Sequence, residues 1–239
     1  YFHLVFTLPH SLNGLIRQNR TALFKLLFDA ATQTLLEFGA ERLAAQLGIT
    51  AVLHTWSQTL GDHYHLHAIA TGGGVAAADP SRWVSTAPHY LFAVRALSRR
   101  FRGKYLAGLN ALFTAGKLEF HGQLQATAPP AKFAAFLRHA AQPEWVVYAK
   151  RPFAGPEQVL AYLSRYTHRV ALSPRRLLAT DGQTVTFAYK DYAEDSRPKT
   201  MTLGTAEFVR RFALHVLPER FVKIRHYGLL GNRQKQARR

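Results

Sequence analysis

The segment HYHLHAIATGGG places imidazoles at His63, His65 and His67, every second residue. On an extended strand alternate side chains share a face, about 7 Å apart along the chain, so two of these rings can converge on one divalent ion. Leu66 and Ala68 then turn to the opposite, packed face. His63 adjoins a turn at Gly61-Asp62, whereas His65 and His67 lie deeper in the strand, and that pair is the expected ligand pair. Neutral imidazole suits a transition metal, or a Mn2+ or Mg2+ site completed by other ligands and water. A third donor is expected from the strand before the turn, where His54, Trp56 and Gln58 share one parity. His54 is preferred over Gln58 because imidazole is the better ligand. Register decides the matter, since a slip of one residue turns both away.

A second constellation lies in VLAYLSRYTHRV. Read as a helix, it puts Tyr162 and Tyr166 on one face, about 6 Å apart in rise. Arg165 and Arg169 fall in the same arc, while Val159, Leu160, Leu163 and Val170 can bury the other side. Two phenols flanked by guanidiniums suit attack on a phosphodiester. A phenol with a pKa of about 10 needs its proton withdrawn, or nearby positive charge, before it becomes a nucleophile. A metal ion and arginines would also neutralise the phosphate under attack. The same spacing serves a half-buried aromatic stripe or a platform for stacking bases. Lys150, at the end of the preceding strand, is a candidate phosphate contact, and His168 points away from the tyrosine face. Tyr148, Trp56 and Trp145 are candidates for stacking bases or for core packing.

The elements that must hold these residues read as an irregular mixture. A strand over Phe2–Leu8 stops at Pro9, and a helical pattern runs from about Ser11 to Gln46 until Gly48 breaks it. Strands at Ile49–Ser57 and His63–Thr71 form a hairpin, the second ended by Gly72-Gly73-Gly74. Helices are expected over Pro88–Ala115 and Ala131–Ala140, then a strand over Trp145–Lys150 and the tyrosine helix over Pro156–Val170. Short strands at Leu177–Thr180, Thr184–Tyr189 and Lys199–Leu203 precede a helix at Glu207–His215 and a last strand at Phe221–His226. This order predicts an α+β fold around an antiparallel sheet rather than a doubly wound one. A single domain over residues 1–239 is expected, with a basic C-terminal extension from about residue 221.

Charge narrows the partner. Lys and Arg number 31 against 14 Asp and Glu, a formal net charge of +17. No acid falls between Asp79 and Glu119, between Glu157 and Asp181, or after Glu219. Three acid-free basic tracts favour nucleic acid over an anionic membrane as the polyanion that offsets the self-repulsion. The absence of cysteine excludes disulfides and a thiolate zinc site within these residues. No run of about 20 apolar residues spans a membrane. The chain begins at Tyr1 with no signal pattern, and reads as a piece of a longer protein of the bacterial cytoplasm, associated with the nucleoid.

Together these pieces resemble the HUH (His-hydrophobic-His) endonucleases, in particular the two-tyrosine transposases of bacterial insertion sequences. FHLVFTLPHSL looks like the first-strand motif shared with rolling-circle replication initiators. His65-Leu66-His67 with the following glycines looks like the HUH motif, and Tyr162-Leu163-Ser164-Arg165-Tyr166 like the paired nucleophiles. WVVYAKRPF, LSRYTHRVALS and FVKIRHYGLL extend the resemblance over nearly the whole chain. It implies a ferredoxin-like antiparallel sheet with the HUH pair on a central strand and the tyrosine helix nearby. It also implies Mg2+ or Mn2+, single-stranded DNA (transposon ends and target) as substrate, and covalent attachment of Tyr162 and Tyr166 to a 5′ phosphate with a free 3′ hydroxyl left behind. Two departures stand out: Tyr64 occupies the position where the family has proline, and the family's cysteine-rich zinc module is not in this sequence. Two other readings compete. One is a single-stranded nucleic-acid-binding module without chemistry, and the other is a metal-dependent hydrolase, for which Asp62 is the nearby acid–base candidate.

Overall fold

Strand β1 (Phe2–Thr7) alternates: Phe2, Leu4 and Phe6 enter the hydrophobic core, and His3, Val5 and Thr7 take the other face. In the computed structural model, which describes residues 1–150, 157, 171–192 and 194–231, this division by face governs the whole central sheet. Helix α1 (Asn13–Gln18) and helix α2 (Arg20–Leu43) follow. They are two helices rather than the single one expected over 11–46. The break is at Asn19, whose side-chain amide donates to the carbonyls of Leu15 (3.1 Å) and Glu119 (2.9 Å). Leu23, Phe24, Leu27, Phe28, Ala31 and Leu35 recur at three- and four-residue spacing and bury one side of α2. The helix stops at Ala44, which is left-handed (φ 48°), so the chain reverses directly into β2 (Ala45–Trp56). Strand β2 thus begins earlier than expected and runs through Gly48.

The hairpin partner β3 (Asp62–Ala76) pairs with β2 so that His54 stands opposite His65, Val52 opposite His67 and Leu53 opposite Leu66. Gly72-Gly73-Gly74 does not end β3. A Cβ at Gly73 would lie 2.3 Å from the Val84 carbonyl oxygen, and one at Gly74 would lie 2.2 Å from that of Gln46. The glycines are there because backbone crowds the strand from both sides: β2 on one, the short β4 (Trp83–Ser85) on the other. Helix α3 (Val94–Thr114), shorter than expected at its start, packs on α2. Helix α4 (Pro130–Ala141) and the edge strand β5 (Val147–Ala149) come next.

The main sheet has the order β5-β1-β3-β2-β9, where β9 (Ile224–Gly228) pairs antiparallel with β2 and β4 joins the end of β3. The start of the basic C-terminal stretch is therefore part of the sheet. Within it, β1-α2-β2-β3-α3-β5 arranged as β5-β1-β3-β2 is the split β-α-β pattern of a ferredoxin-like unit. Helices α2 and α3 share the face that carries Leu4, Phe6, Tyr64, Leu66 and Ala68. Tyr64 is 1% exposed and packs on Phe24. A smaller sheet, β6 (Leu177–Thr180), β7 (Thr184–Asp191) and β8 (Arg197–Gly204), is followed by α5 (Thr205–Ala213). It meets the hairpin turn through a second apolar cluster of Leu60, Ala171 and Phe187. Among the described residues no helix is long and apolar enough to cross a membrane.

Candidate metal centre

Register does on the other face of the sheet what packing does on the core face. Thr7, His65 and His54 form one cross-strand row, and Tyr148, Val5, His67 and Val52 form the next. Paired residues in an antiparallel sheet project to the same side, so His54, His65 and His67 share a face. One ring nitrogen from each lies within 4.8 Å of those of the other two. His54 and His67 are buried and His65 is half-buried. Trp56 stacks on the His54 ring at 4.9 Å, and the Lys223 ammonium lies over the Trp56 ring at 5.2 Å.

Hydrogen bonds fix which nitrogen each ring presents. His65 Nδ1 donates to the His63 carbonyl at 2.8 Å, which leaves its Nε2 as a lone pair. His67 Nδ1 is 2.8 Å from His3 Nε2, so its own Nε2 faces His65 Nε2 at 3.1 Å. Without an ion, a proton on His67 Nε2 can bridge the two. With both nitrogens ligating, that proton must sit on His67 Nδ1 and be donated to His3. Two nitrogens about 2.1 Å from one ion and subtending 90–110° stand about 3.0–3.4 Å apart, which brackets the observed separation. The His65–His67 pair therefore fits a divalent ion, with a His54 nitrogen nearby as the third donor. An all-nitrogen donor set favours Mn2+ and later transition metals over Mg2+, which prefers oxygen.

Burial keeps the His65 ring neutral, as ligation requires. Burial, then charge at His63, holds His65 at about 3, against a weaker opposing effect of its bond to the His63 carbonyl. Burial, then the Lys150 ammonium, holds His3 at about 4. Lys150 is exposed on the same side of the sheet, and its backbone N–H donates to the His3 carbonyl at 2.9 Å. His63 lies beside the cluster, with Nδ1 3.4 Å from His10 Nε2.

Other expected site residues are placed differently. Gln58 sits in the turn, where its amide donates to the Tyr192 hydroxyl at 3.3 Å. Trp145 cannot stack on a base: it is 3% exposed, wedged against Phe101 and Tyr105, and its indole N–H donates to the Ala140 carbonyl. Tyr148 is 52% exposed. Asp62 is unsuited to acid–base work at the histidines, because its carboxylate is taken up by Arg17 and lies by the Tyr64 phenol, whose ionisation is opposed by burial first and by that carboxylate second. Tyr162, Tyr166, Arg165, Arg169 and His168, with the helix expected over 156–170, lie outside the described residues. His3 was not singled out by sequence. The only signal was its place in β1, on the parity opposite to Phe2, Leu4 and Phe6.

Fold and donors define an α+β protein whose ferredoxin-like sheet presents a three-imidazole cluster on the face away from its helices. The chain belongs to the Y2_Tnp family, described as "Putative transposase", whose profile matches residues 48–238. It is 47% identical over 240 residues to "Putative transposase y4qJ" of Sinorhizobium fredii (strain NBRC 101917 / NGR234), covering 100% of this chain and 60% of that protein. It is 29% identical over 243 residues to "Transposase for insertion sequence element IS801" of Pseudomonas savastanoi pv. phaseolicola, covering 97% of this chain and 54% of that protein. The chain thus spans a little over half the length of these relatives.

Proposed function

We propose that this chain is the strand-cleaving and strand-joining part of an insertion-sequence transposase acting on single-stranded DNA. The observation that carries the reading is the convergence of His54, His65 and His67 in a chain of this family. Those three residues would hold the ion, Mn2+ or Mg2+, which when bound would supply positive charge to the scissile phosphate. Lys150, Arg165 and Arg169 contact flanking phosphates and offset their charge. The phenol oxygen of Tyr162 or Tyr166 bonds to phosphorus as the P–O3′ bond breaks. The phenolic proton passes to solvent and the departing 3′ oxygen takes up a proton. The product is a 5′-phosphotyrosine ester that retains a phosphodiester, so the strand can be rejoined without a nucleotide cofactor. Spacing and family membership support the tyrosine roles.

The test is an SDS-resistant adduct between the protein and single-stranded oligonucleotides tiling both ends of the encoding element, formed with Mn2+ and lost with chelator. Tyr162→Phe/Tyr166→Phe should abolish the adduct and leave DNA affinity within about twofold. Adducts that persist in this variant overturn the tyrosine assignment. Tight binding with no adduct from the wild type leaves only a nucleic-acid-binding module.

A further inference from the structure

Helix α3 carries its cations on two faces with different fates. Arg100 bonds to Glu41 (2.5 Å) and Glu37 (3.4 Å), and Lys104 bonds to Glu37 (2.6 Å), so α2 neutralises that side. Arg95, Arg99 and Arg102 form a second stripe at helical spacing, about 10 Å long. Among the described residues none of the three is ion-paired with a carboxylate. Arg102 is held instead by the carbonyls of Ala141 (2.9 Å) and Pro143 (3.3 Å), which orient its guanidinium without a countercharge. This stripe lines a 220 Å³ groove against the residues leading into β5, with Glu144 the one acid in its wall among the described residues.

The groove runs along the edge of the sheet, since among the described residues no strand pairs with the outer side of β5. Val146, in the groove wall, is 60% exposed, and Tyr148, next to the groove on the imidazole face of β5, is 52% exposed. Tyr148 is two strands from His67 in the same cross-strand row, about 10 Å away. Lys150, next on that face, reaches His3 with its charge. A track of positive charge with one exposed aromatic ring thus leads from α3 across the edge of β5 to the imidazole cluster.

We propose that this groove seats the single-stranded DNA flanking the cleavage point, with phosphates on Arg95, Arg99 and Arg102 and a base stacked on Tyr148. The inference rests on the reading of the chain as a strand-cleaving transposase. It favours a single strand because a base face is open to a phenol ring only when unpaired.

The test measures affinity for fluorescent oligothymidylate and for a duplex of equal length across a salt series. Arg95→Ala/Arg99→Ala, in which both removed side chains are exposed and carry no structural bond among the described residues, should weaken oligothymidylate binding at least about tenfold. It should also reduce the log–log salt slope by about 1.4, for two lost phosphate contacts. Tyr148→Ala should weaken binding at least about fivefold with the slope unchanged. Mn2+ affinity and melting temperature should match the wild type in both. Unchanged oligothymidylate affinity in the arginine variant, in a protein whose wild type forms the covalent adduct, sinks the groove and leaves the transposase reading intact. Lost binding in both variants without any wild-type adduct keeps the groove and sinks the reading. A Tyr148→Ala variant without effect, or equal losses on duplex and single strand, reduces the groove to a general polyanion surface and overturns the proposal.

Discussion

Replacement of His3 tests the tautomer argument at the metal centre. When His65 Nε2 and His67 Nε2 both ligate, the remaining proton of His67 lies on Nδ1 and is donated to His3 Nε2, 2.8 Å away in a site where His3 and His67 are 3% and 9% exposed. His3→Ala removes that acceptor only in the liganded state of the ring. Loss of a buried acceptor costs about 1–3 kcal/mol, which is about 5–150-fold in binding. That agrees with the 10–100-fold typical of an outer-shell partner. His3→Gln can again place an acceptor oxygen near Nδ1, so it should recover Mn2+ affinity to within about threefold of wild type. The assay is Mn2+ titration followed by the paramagnetic signal of the free ion, alongside melting of the metal-free proteins. Without metal the Ala variant should melt below the Gln variant, whose amide can still bond to His67 Nδ1, and Mn2+ should widen the difference. If His3→Ala binds Mn2+ as tightly as wild type, or if Gln fails as badly as Ala, His3 only fills space and the tautomer chain is wrong.

Acid should destabilise the metal-free protein. His3 and His65 have folded pKa values depressed by burial, to about 4 and about 3, from an ordinary value of 6.5. The unfolded chain therefore takes up these protons first, so stability is constant above about pH 6.5 and falls as pH drops toward 4. His3 alone withdraws about 3 kcal/mol over that window, readable as a falling urea midpoint; a midpoint flat from pH 7 to 4.5 contradicts it. Gly74→Ala should cost at least about 1–3 kcal/mol, because its Cβ would meet backbone at 2.2 and 2.6 Å in Gln46, and β2 cannot move aside without leaving α2. Thermal melts within 1 °C of wild type would show that the strands part freely.

What could be read from sequence was whatever depends on local period. The alternation of His63, His65 and His67 with Tyr64 and Leu66 needs only a strand, and the structure keeps that division by face. His54 had the right parity, but its place opposite His65 depends on a register that the hairpin and its irregularity between His54 and Trp56 decide. The glycines were misread because a local rule treats them as punctuation, whereas here they answer crowding by Gln46 and Val84 from other strands. The break at Asn19 was hidden for the same reason, since one of its amide bonds goes to Glu119, 100 residues away. His3 was beyond local reasoning altogether, because its partner His67 is 64 residues distant. The roles expected for Tyr162 and Tyr166 rest on motif alone, since both lie outside the described residues.

The same period-two rule makes the site fragile in one particular way. The core side chains of β3 share one backbone with His65 and His67, and His54 faces them from the paired strand β2, so no change of register can move these imidazoles without moving the core. A slip of one residue between β2 and β3 would turn Leu66 and Ala68 out of the core and His65 and His67 into it. Burying uncompensated rings against Leu4, Phe6 and Phe24 would cost several kcal/mol. Hydrophobic packing of α2 and α3 on one face therefore sets the position of the donors on the other, through the sheet and without direct contact. The two irregularities of this pair accordingly flank the site: one lies at Leu47–Ile49 and the other toward the turn, where β3 takes three steps from His65 to Asp62 against two in β2 from His54 to Trp56, and the rows that carry His54, His65 and His67 stay in step with the core.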